Sequence, residues 1–420
     1  MFDTDKWQEI FYSLKQNKLR SFLTAFGVFW GIFMLIVMLG SGNGLQNGVT
    51  QGFGDFATNS VFIWTQRTTV EYKGFPKGRF FNYDNADIIA IQKNIKNIRY
   101  LAPRLRAGGF GGGDNVVRGL NSGAFQITGD FPAMNLIDPV NIVEGRFIND
   151  IDIEQKRKIV VIGTRVKEAL FEPDEDPMGK YIRIQGVYFK VAGVYSSKKS
   201  GEQGDRENQG IYMPFTTLQK TYNYGDIVGV FAITAFDNVS VSSVEEETIK
   251  LLKQRHIIAP EDDQAIGHFN VEKEFKQMKG VFMGIDGLIW LVGIGTLLAG
   301  VIGVSNIMLV IVKERTKEIG IQRAIGATPF KIMSQIITES VFITAFAGYI
   351  GLVIGVGIIE LVNFALIQSG TDSNMFRNPE VNFQVAVTAL LILIISGAIA
   401  GFIPAKRAVS IKPIDALRTE

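Results

Sequence analysis

The sequence predicts an α-helical membrane protein with four transmembrane helices plus a large α+β extracytoplasmic domain. Three observations carry this. Four long apolar runs lie toward the two ends of the 420-residue chain, each long enough for a helix to cross a bilayer core, which takes about 20 apolar residues. A middle stretch of ordinary soluble composition separates the first run from the other three. Lysine and arginine crowd the short flanks on one side of the runs, the bias that sets orientation in a membrane.

Bulk composition agrees but hides the partition. The chain is 47% hydrophobic and 20% charged, with a mean hydropathy of +0.18. A net charge of +2 gives no nucleic-acid footprint. The absence of cysteine excludes a disulfide scaffold, a thiolate zinc site and a cysteine nucleophile. His256 and His268 are the only histidines, and they read as ordinary surface or hydrogen-bonded side chains.

The elements follow in order. Within residues 1–20, Trp7, Ile10, Phe11, Leu14 and Lys18 share one helical stripe, which predicts a cytoplasmic amphipathic helix lying in the interface or packed on a partner. Residues 21–42 carry no charge and form the first span; the run is too long for the apolar core of a signal peptide. Residues 43–280 form the extracytoplasmic domain. NSVFIWT, NADIIAIQKNI and NIRYLAPRL read as strand, asparagine-capped helix and strand. GVFAITAF, VSSVEEETIKLLKQRH and GHFNVEKEF repeat that order. Two β-α-β units around an insertion, about residues 105–225, suggest a ferredoxin-like porter module with a β-rich insertion.

Within the insertion, the glycine-rich stretch 108–114 lacks the lysine and hydroxyl residue of a phosphate loop. EPDEDP at 172–177 lacks the oxygen spacing of a calcium loop and reads as a solvated turn. Residues 198–210 read as an exposed mobile loop. The second span with its stalk covers 281–312, about 48 Å as a helix, and Asp286 is expected outside the membrane. Residues 313–331 form a cytoplasmic segment, 332–367 the third span, 383–403 a fourth span closed by Pro404, and 404–420 a cytoplasmic tail.

Lys6, Lys15, Lys18 and Arg20 precede the first span; Lys313, Arg315, Lys317, Arg323 and Lys331 separate the second and third; Lys406, Arg407, Lys412 and Arg418 follow the fourth. Only Arg377 lies between the third and fourth. Both termini and residues 313–331 are therefore expected in the cytoplasm.

The spans are rich in glycine: Gly293, Gly295, Gly300 and Gly303 in the second, Gly348, Gly351, Gly355 and Gly357 in the third. Gly351 and Gly355 form a GxxxG spacing that lets helix backbones approach, either within one chain or between two. Ser305 and Asn306 are expected to bond between helices. Glu339 and Glu360 are intramembrane carboxylates, functional candidates by default, though near an interface they read as solvated.

Residues 313–331, KERTKEIGIQRAIGATPFK, read as a helix that ends at Gly326, a favoured residue just past a helix C-terminus. Thr328 and Pro329 then supply an N-cap and first-turn proline for the third span. A helix this short is marginal alone in water and must pack on something. The sequence holds no G-x-x-x-x-G-K-[ST], H-E-x-x-H or G-x-S-x-G, so no catalytic site is expected.

SNIMLVIVKERTKEIGIQRAIGATPFKIMSQIITES resembles the cytoplasmic signature of MacB/FtsX-type (type VII) ABC transporter permeases. KLRSFLTAFGVFWGIF resembles the family's first helix, and VEGRFINDID, IYMPFTTLQK and the stretch from VVIGTRVKEALF to KVAGVY resemble its periplasmic domain. PAKRAVSIKPIDALRTE resembles its C-terminal tail. The resemblance implies a non-catalytic inner-membrane subunit, a homodimer or a heterodimer with a paralogue. A separate cytoplasmic ATPase would bind ATP and Mg²⁺, and this chain no cofactor; the sequence departs from MacB in having no fused nucleotide-binding domain. Partners would include a periplasmic adaptor, an outer-membrane channel and membrane lipids, but no nucleic acid. By matching position, Glu314, Arg315, Glu318, Ile319, Arg323, Gly326 and Ala327 form the coupling helix and its turn, with Ile319 filling an ATPase groove. The implied mechanism relays ATP-driven closure through stiff helices to drive export. Lipoprotein extraction and FtsX-like regulation of a cell-wall hydrolase are the alternatives within the family, and a membrane-anchored sensor is one outside it.

Overall fold

Strand alternation, helix caps and small-residue helix contacts shape the chain, which the computed structural model describes over residues 18–52, 57–107, 115–199, 201–369, 376–381 and 383–411. The expected interfacial helix at 1–20 (apart from its last three residues), the glycine-rich stretch 108–114 and tail residues 412–420 lie outside the described residues. Two compact units emerge, Thr50–Gly280 and a helical unit of Met1–Val49 with Val281–Glu420. Among the described residues four helices are long and apolar enough to cross a membrane.

Helix α1 (Lys18–Gly52) runs ten residues beyond the expected first span. Val28, Ile32, Leu35 and Ile36 form its buried stripe, at the spacing of one helical face.

The middle unit opens with β1 (Ser60–Thr65), β2 (Tyr83–Asp84), α2 (Asn85–Asn94) and β3 (Ile98–Arg106). Val61 and Ile63 alternate inward along β1, as a half-buried strand requires. The cap of α2 is Asp84, not the expected asparagine. Its carboxylate accepts the Asp87 N–H at 2.9 Å, while the Asp87 carboxylate accepts the Asp84 N–H at 2.9 Å, a reciprocal capping box.

The insertion contributes β4 (Val116–Arg118), β5 (Asn121–Gly123), β6 (Gln126–Asp130), α3 (Met134–Ile137) and β7 (Asn141–Gly145). It continues through α4 (Asp150–Glu154), β8 (Ile159–Gly163), α5 (Thr164–Leu170), β9 (Tyr181–Ile184) and β10 (Val187–Ser196). Next come α6 (Gly201–Asn208), β11 (Gly210–Pro214) and α7 (Phe215–Thr221). The unit closes with β12 (Ile227–Val228), β13 (Val230–Ala235), α8 (Val241–Arg255) and β14 (Ile266–Asn270).

Strands β14, β1, β13 and β3 lie side by side in that order, antiparallel throughout. Both crossover helices, α2 and α8, skip one intervening strand. From β3 the sheet continues through β6, β11, β8, β10, β9, β4 and β5, with β7 added on β10. Pairs β6–β11 and β8–β10 are parallel. One core runs beneath both parts, from Val61, Ile91 and Phe231 to Val161, Phe189 and Phe215.

One expectation for the insertion changes. Residues 201–208 are helical, held by partners outside the segment: the Tyr195 hydroxyl donates to the Glu207 carbonyl at 2.6 Å, and the Ser197 N–H donates to the Asn208 side chain at 2.6 Å. The acidic stretch 172–177 is the expected exposed turn, with Glu175 ion-paired: Arg118 donates to it at 2.8 Å and Lys180 adds a second partner. Those two cations hold the Glu175 carboxyl down to about 2. Deeper, Arg104 of β3 grips Asp130 of β6 through two bonds, 2.7 and 2.8 Å. Both histidines are hydrogen-bonded, His256 to Asp87 at 2.8 Å and His268 to Glu245.

Helix α9 (Val271–Glu314) follows, 44 residues and about 66 Å long. The preceding strand stops at Asn270, five residues before the sequence pattern suggested, because the Asn270 side chain accepts the Lys273 N–H at 2.9 Å and starts the helix. Helices α10 (Thr316–Ala324), α11 (Pro329–Ser369) and α12 (Phe383–Val409) follow. Pro404 lies inside α12 instead of ending it. Ala405 and Ala408 are fully buried beyond it, so packing carries the helix past the missing N–H.

Gly351 and Gly355 are used within the chain. A Cβ at Gly351 would lie 2.6 Å from the Phe29 carbonyl oxygen, and one at Gly355 3.0 Å from Ile36. Gly293 and Gly300 receive Leu35 and Val28 in the same way, whereas Gly295, Gly303 and Gly357 face open space. α1 is thus clasped by α9 and α11 through backbone-close contacts.

Candidate functional site

The segment between α9 and α11 is built from local rules first. Arg315 interrupts the helix with φ −91° and ψ 12° before α10 begins. At the other end Gly326 adopts φ +105°, a left-handed region open to glycine. Its N–H donates to the Arg323 carbonyl at 3.1 Å, and the Ala327 N–H to the Gln322 carbonyl at 2.9 Å. These are the two bonds of a Schellman stop. Thr328 then caps α11, its carbonyl accepting the Lys331 N–H at 3.0 Å, and Pro329 takes the first helical position. The stop and restart read from the sequence are both present.

Tertiary contacts divide α10 into two faces. Ile319 is 7% exposed and packs with Ile311, Val312, Ile332 and Ile336. The expectation that Ile319 fills a partner's groove is therefore corrected: the chain's own core covers it. Arg323 is also engaged internally, donating to the Val409 carbonyl at 2.7 Å and to the Ile411 carbonyl, a cation on the C-terminal carbonyls of α12. Arg315 donates to Glu318 at 2.9 Å and forms a 3.5 Å ion pair with Glu339 of α11. Glu339 is only 2% exposed, so the solvated reading of that carboxylate is corrected as well. A cavity of about 20 Å³ lies between these groups, lined by Arg315, Glu318, Gln322, Gln335 and Glu339 over an apolar floor. It has room for about one water molecule.

The opposite face of α10, the turn after it and the start of α11 are open. Ile321 is 43% exposed, Ile325 82% and Phe330 80%. Lys313, Glu314, Lys317, Glu318, Gly326 and Lys331 are exposed around them, and Ala327 is half-buried. Ile325 and Phe330 were not singled out by the sequence reading. Their signal was an apolar side chain on each side of the Gly326 turn, where a solvated loop would carry polar ones. Among the described residues no group of three acidic or histidine side chains is placed to hold a metal.

A family model described as the MacB-like periplasmic core domain matches residues 21–251. A second, the FtsX-like permease C-terminal region, matches residues 290–413. The chain is 27% identical over 405 residues to the pyoverdine export ATP-binding/permease protein PvdT of Pseudomonas entomophila, covering 96% of this chain and 58% of that protein. It is 29% identical over 423 residues to the macrolide export ATP-binding/permease protein MacB of Wolinella succinogenes, covering 98% and 60%. The chain thus spans about three-fifths of the length of these curated relatives. Among solved structures, the periplasmic region of MacB from Actinobacillus actinomycetemcomitans aligns with 53% of this chain and 94% of its own, at 19% identity and a TM-score of 0.42.

Proposed function

The chain belongs to the MacB/FtsX-type permease family, and from that premise we propose that it is the membrane subunit of an ABC exporter driven by a separate cytoplasmic ATPase. The observation that carries this reading is the two-faced α10. One face is consumed by the chain's own core, while Ile321, Ile325 and Phe330 stand out beside exposed charges. An apolar ridge on a helix anchored from behind suits a helix-in-groove contact, and the ATPase is its occupant. Glu314 and Glu318 orient the contact. Arg315 and Arg323 brace the helix, and Gly326 with Ala327 holds Phe330 next to it.

Both termini and α10 lie in the cytoplasm in this reading, supported by the lysine and arginine bias of the flanks. The middle unit is extracytoplasmic, in the inner membrane of a bacterium. Its β14-β1-β13-β3 order with two skipping crossovers supports the ferredoxin-like porter reading, and the remaining strands make the insertion. The long α9 acts as a rod through which movement of the ATPases reaches the other side. The assembly is a dimer of this chain or of this chain and a paralogue, with ATP and Mg²⁺ on the ATPases. Its cargo is an amphiphilic small molecule or peptide passed to a periplasmic adaptor and outer-membrane channel, in keeping with relatives named for macrolide and pyoverdine export.

The test is co-purification with an ABC ATPase subunit from the same organism. Ile325→Asp with Phe330→Asp should release the ATPase while the permease stays in the membrane. Retention of the complex refutes the docking assignment, and ATP hydrolysis by the purified chain alone refutes the division of labour.

A further inference from the structure

Glu339 has no place in the docking face. It sits on α11, almost wholly buried, where a carboxylate costs free energy unless it is matched. Its match is Arg315, 3.5 Å away, the residue at which the backbone breaks between α9 and α10. Arg315 is shared, since Glu318 on α10 takes its Nε at 2.9 Å. One guanidinium therefore ties the first turn of α10 to the side of α11, at the point where the angle between α9 and α10 is set. The Arg323 bonds to the end of α12 fix the other end of the same nine-residue helix. An apolar pair at 315 and 339 would hold the helices together at lower cost. What charge adds is one preferred geometry, set by a guanidinium held by Glu318 and Glu339 together.

We propose that the Arg315–Glu339 pair is a latch that positions α10, with Glu339 as a positioning residue for ATPase coupling. This rests on the docking reading for its consequence. The latch itself is a property of the permease chain.

The test therefore uses the full chain in lipid nanodiscs without any ATPase. The sequence contains no cysteine, so spin labels can be placed at will. Lys317→Cys with Lys406→Cys, both exposed positions, reports the seating of α10 against α12. Val353→Cys with Ile395→Cys, also exposed, reports the α11–α12 packing as a control. The expected result is one narrow distance for each pair. Glu339→Gln keeps the shape and removes the charge, and should lose the narrow 317–406 distance while the control stays narrow. Glu339→Asp keeps the charge and should retain it. A 317–406 distance unchanged in Glu339→Gln overturns the proposal, as does Glu339→Asp behaving like Glu339→Gln. If Glu339→Gln also loses the control distance, Arg315→Gln decides: loss confined to 317–406 supports the latch. Retention of both distances, or loss of both, overturns it. Failure of the ATPase to bind the Ile325–Phe330 face would refute docking and leave these distances unaffected.

Discussion

Truncating the exposed ridge should separate binding from folding. Ile325 is 82% exposed and Phe330 80%, so docking can remove most of each side chain from water. Full burial of such a side chain is worth about 1.5–3 kcal/mol. Four-fifths of that for two residues gives about 2.4–4.8 kcal/mol, a loss of about 60- to 3,000-fold in affinity. The perturbation is Ile325→Ala with Phe330→Ala. The assay is binding of the permease in nanodiscs to immobilised ATPase, with a thermal melt of the same sample. The double variant should bind weakly and melt like the wild type. Ile319→Ala should do the reverse in the melt, destabilising by about 2–5 kcal/mol as a large-to-small change in a packed core. Wild-type affinity in the double variant, or an unchanged melt for Ile319→Ala, would refute the assignment of the two faces.

Other consequences can be measured on the same preparations. Gly351→Leu places atoms where the Phe29 carbonyl lies 2.6 Å from an added Cβ. It should cost about 1–3 kcal/mol in detergent unfolding, whereas Gly357→Leu, which meets nothing within 4 Å, should not destabilise. Arg104→Met strands the fully buried Asp130 and should cost about 3–5 kcal/mol in the melt; adding Asp130→Leu should recover much of it. For Asp87, burial raises the carboxyl, but bonds from His256, Arg255 and the Asp84 N–H outweigh it and hold it below the usual value. A depressed folded pKa means the stabilisation is present above about pH 4 and is lost as pH falls through the folded value. Acid titration of the middle unit's unfolding should show that loss, and Asp87→Asn should remove much of the dependence.

The four spans, the two β-α-β units and the helix-stop-helix of residues 313–331 were legible because their signals are local: apolar runs, alternation, a glycine stop, a threonine-proline start. What failed were features decided elsewhere in the chain. Residues 201–208 are polar and glycine-containing, and they are held as a helix by ties from outside, from Tyr195, Ser197, Lys199 and Arg165. Pro404 announces an end that the packing of Ala405 and Ala408 overrides. Periodicity shows that Ile321 and Ile325 share a face and Ile319 does not, but it does not say which face the rest of the chain will cover. For Ile319 the expected outward side is the inward one.

The bonds from Arg323 to the carbonyls of Val409 and Ile411 also bear on how the protein is made. Chains emerge from the ribosome N-terminus first, so α10 is synthesised some 86 residues before its last anchor exists. Until α12 has been made, α10 lacks that tie. A nascent chain cut short before residue 409 lacks the anchor altogether. The seating of α10 is therefore a late event in synthesis, although the helix itself can form as soon as residues 316–324 exist.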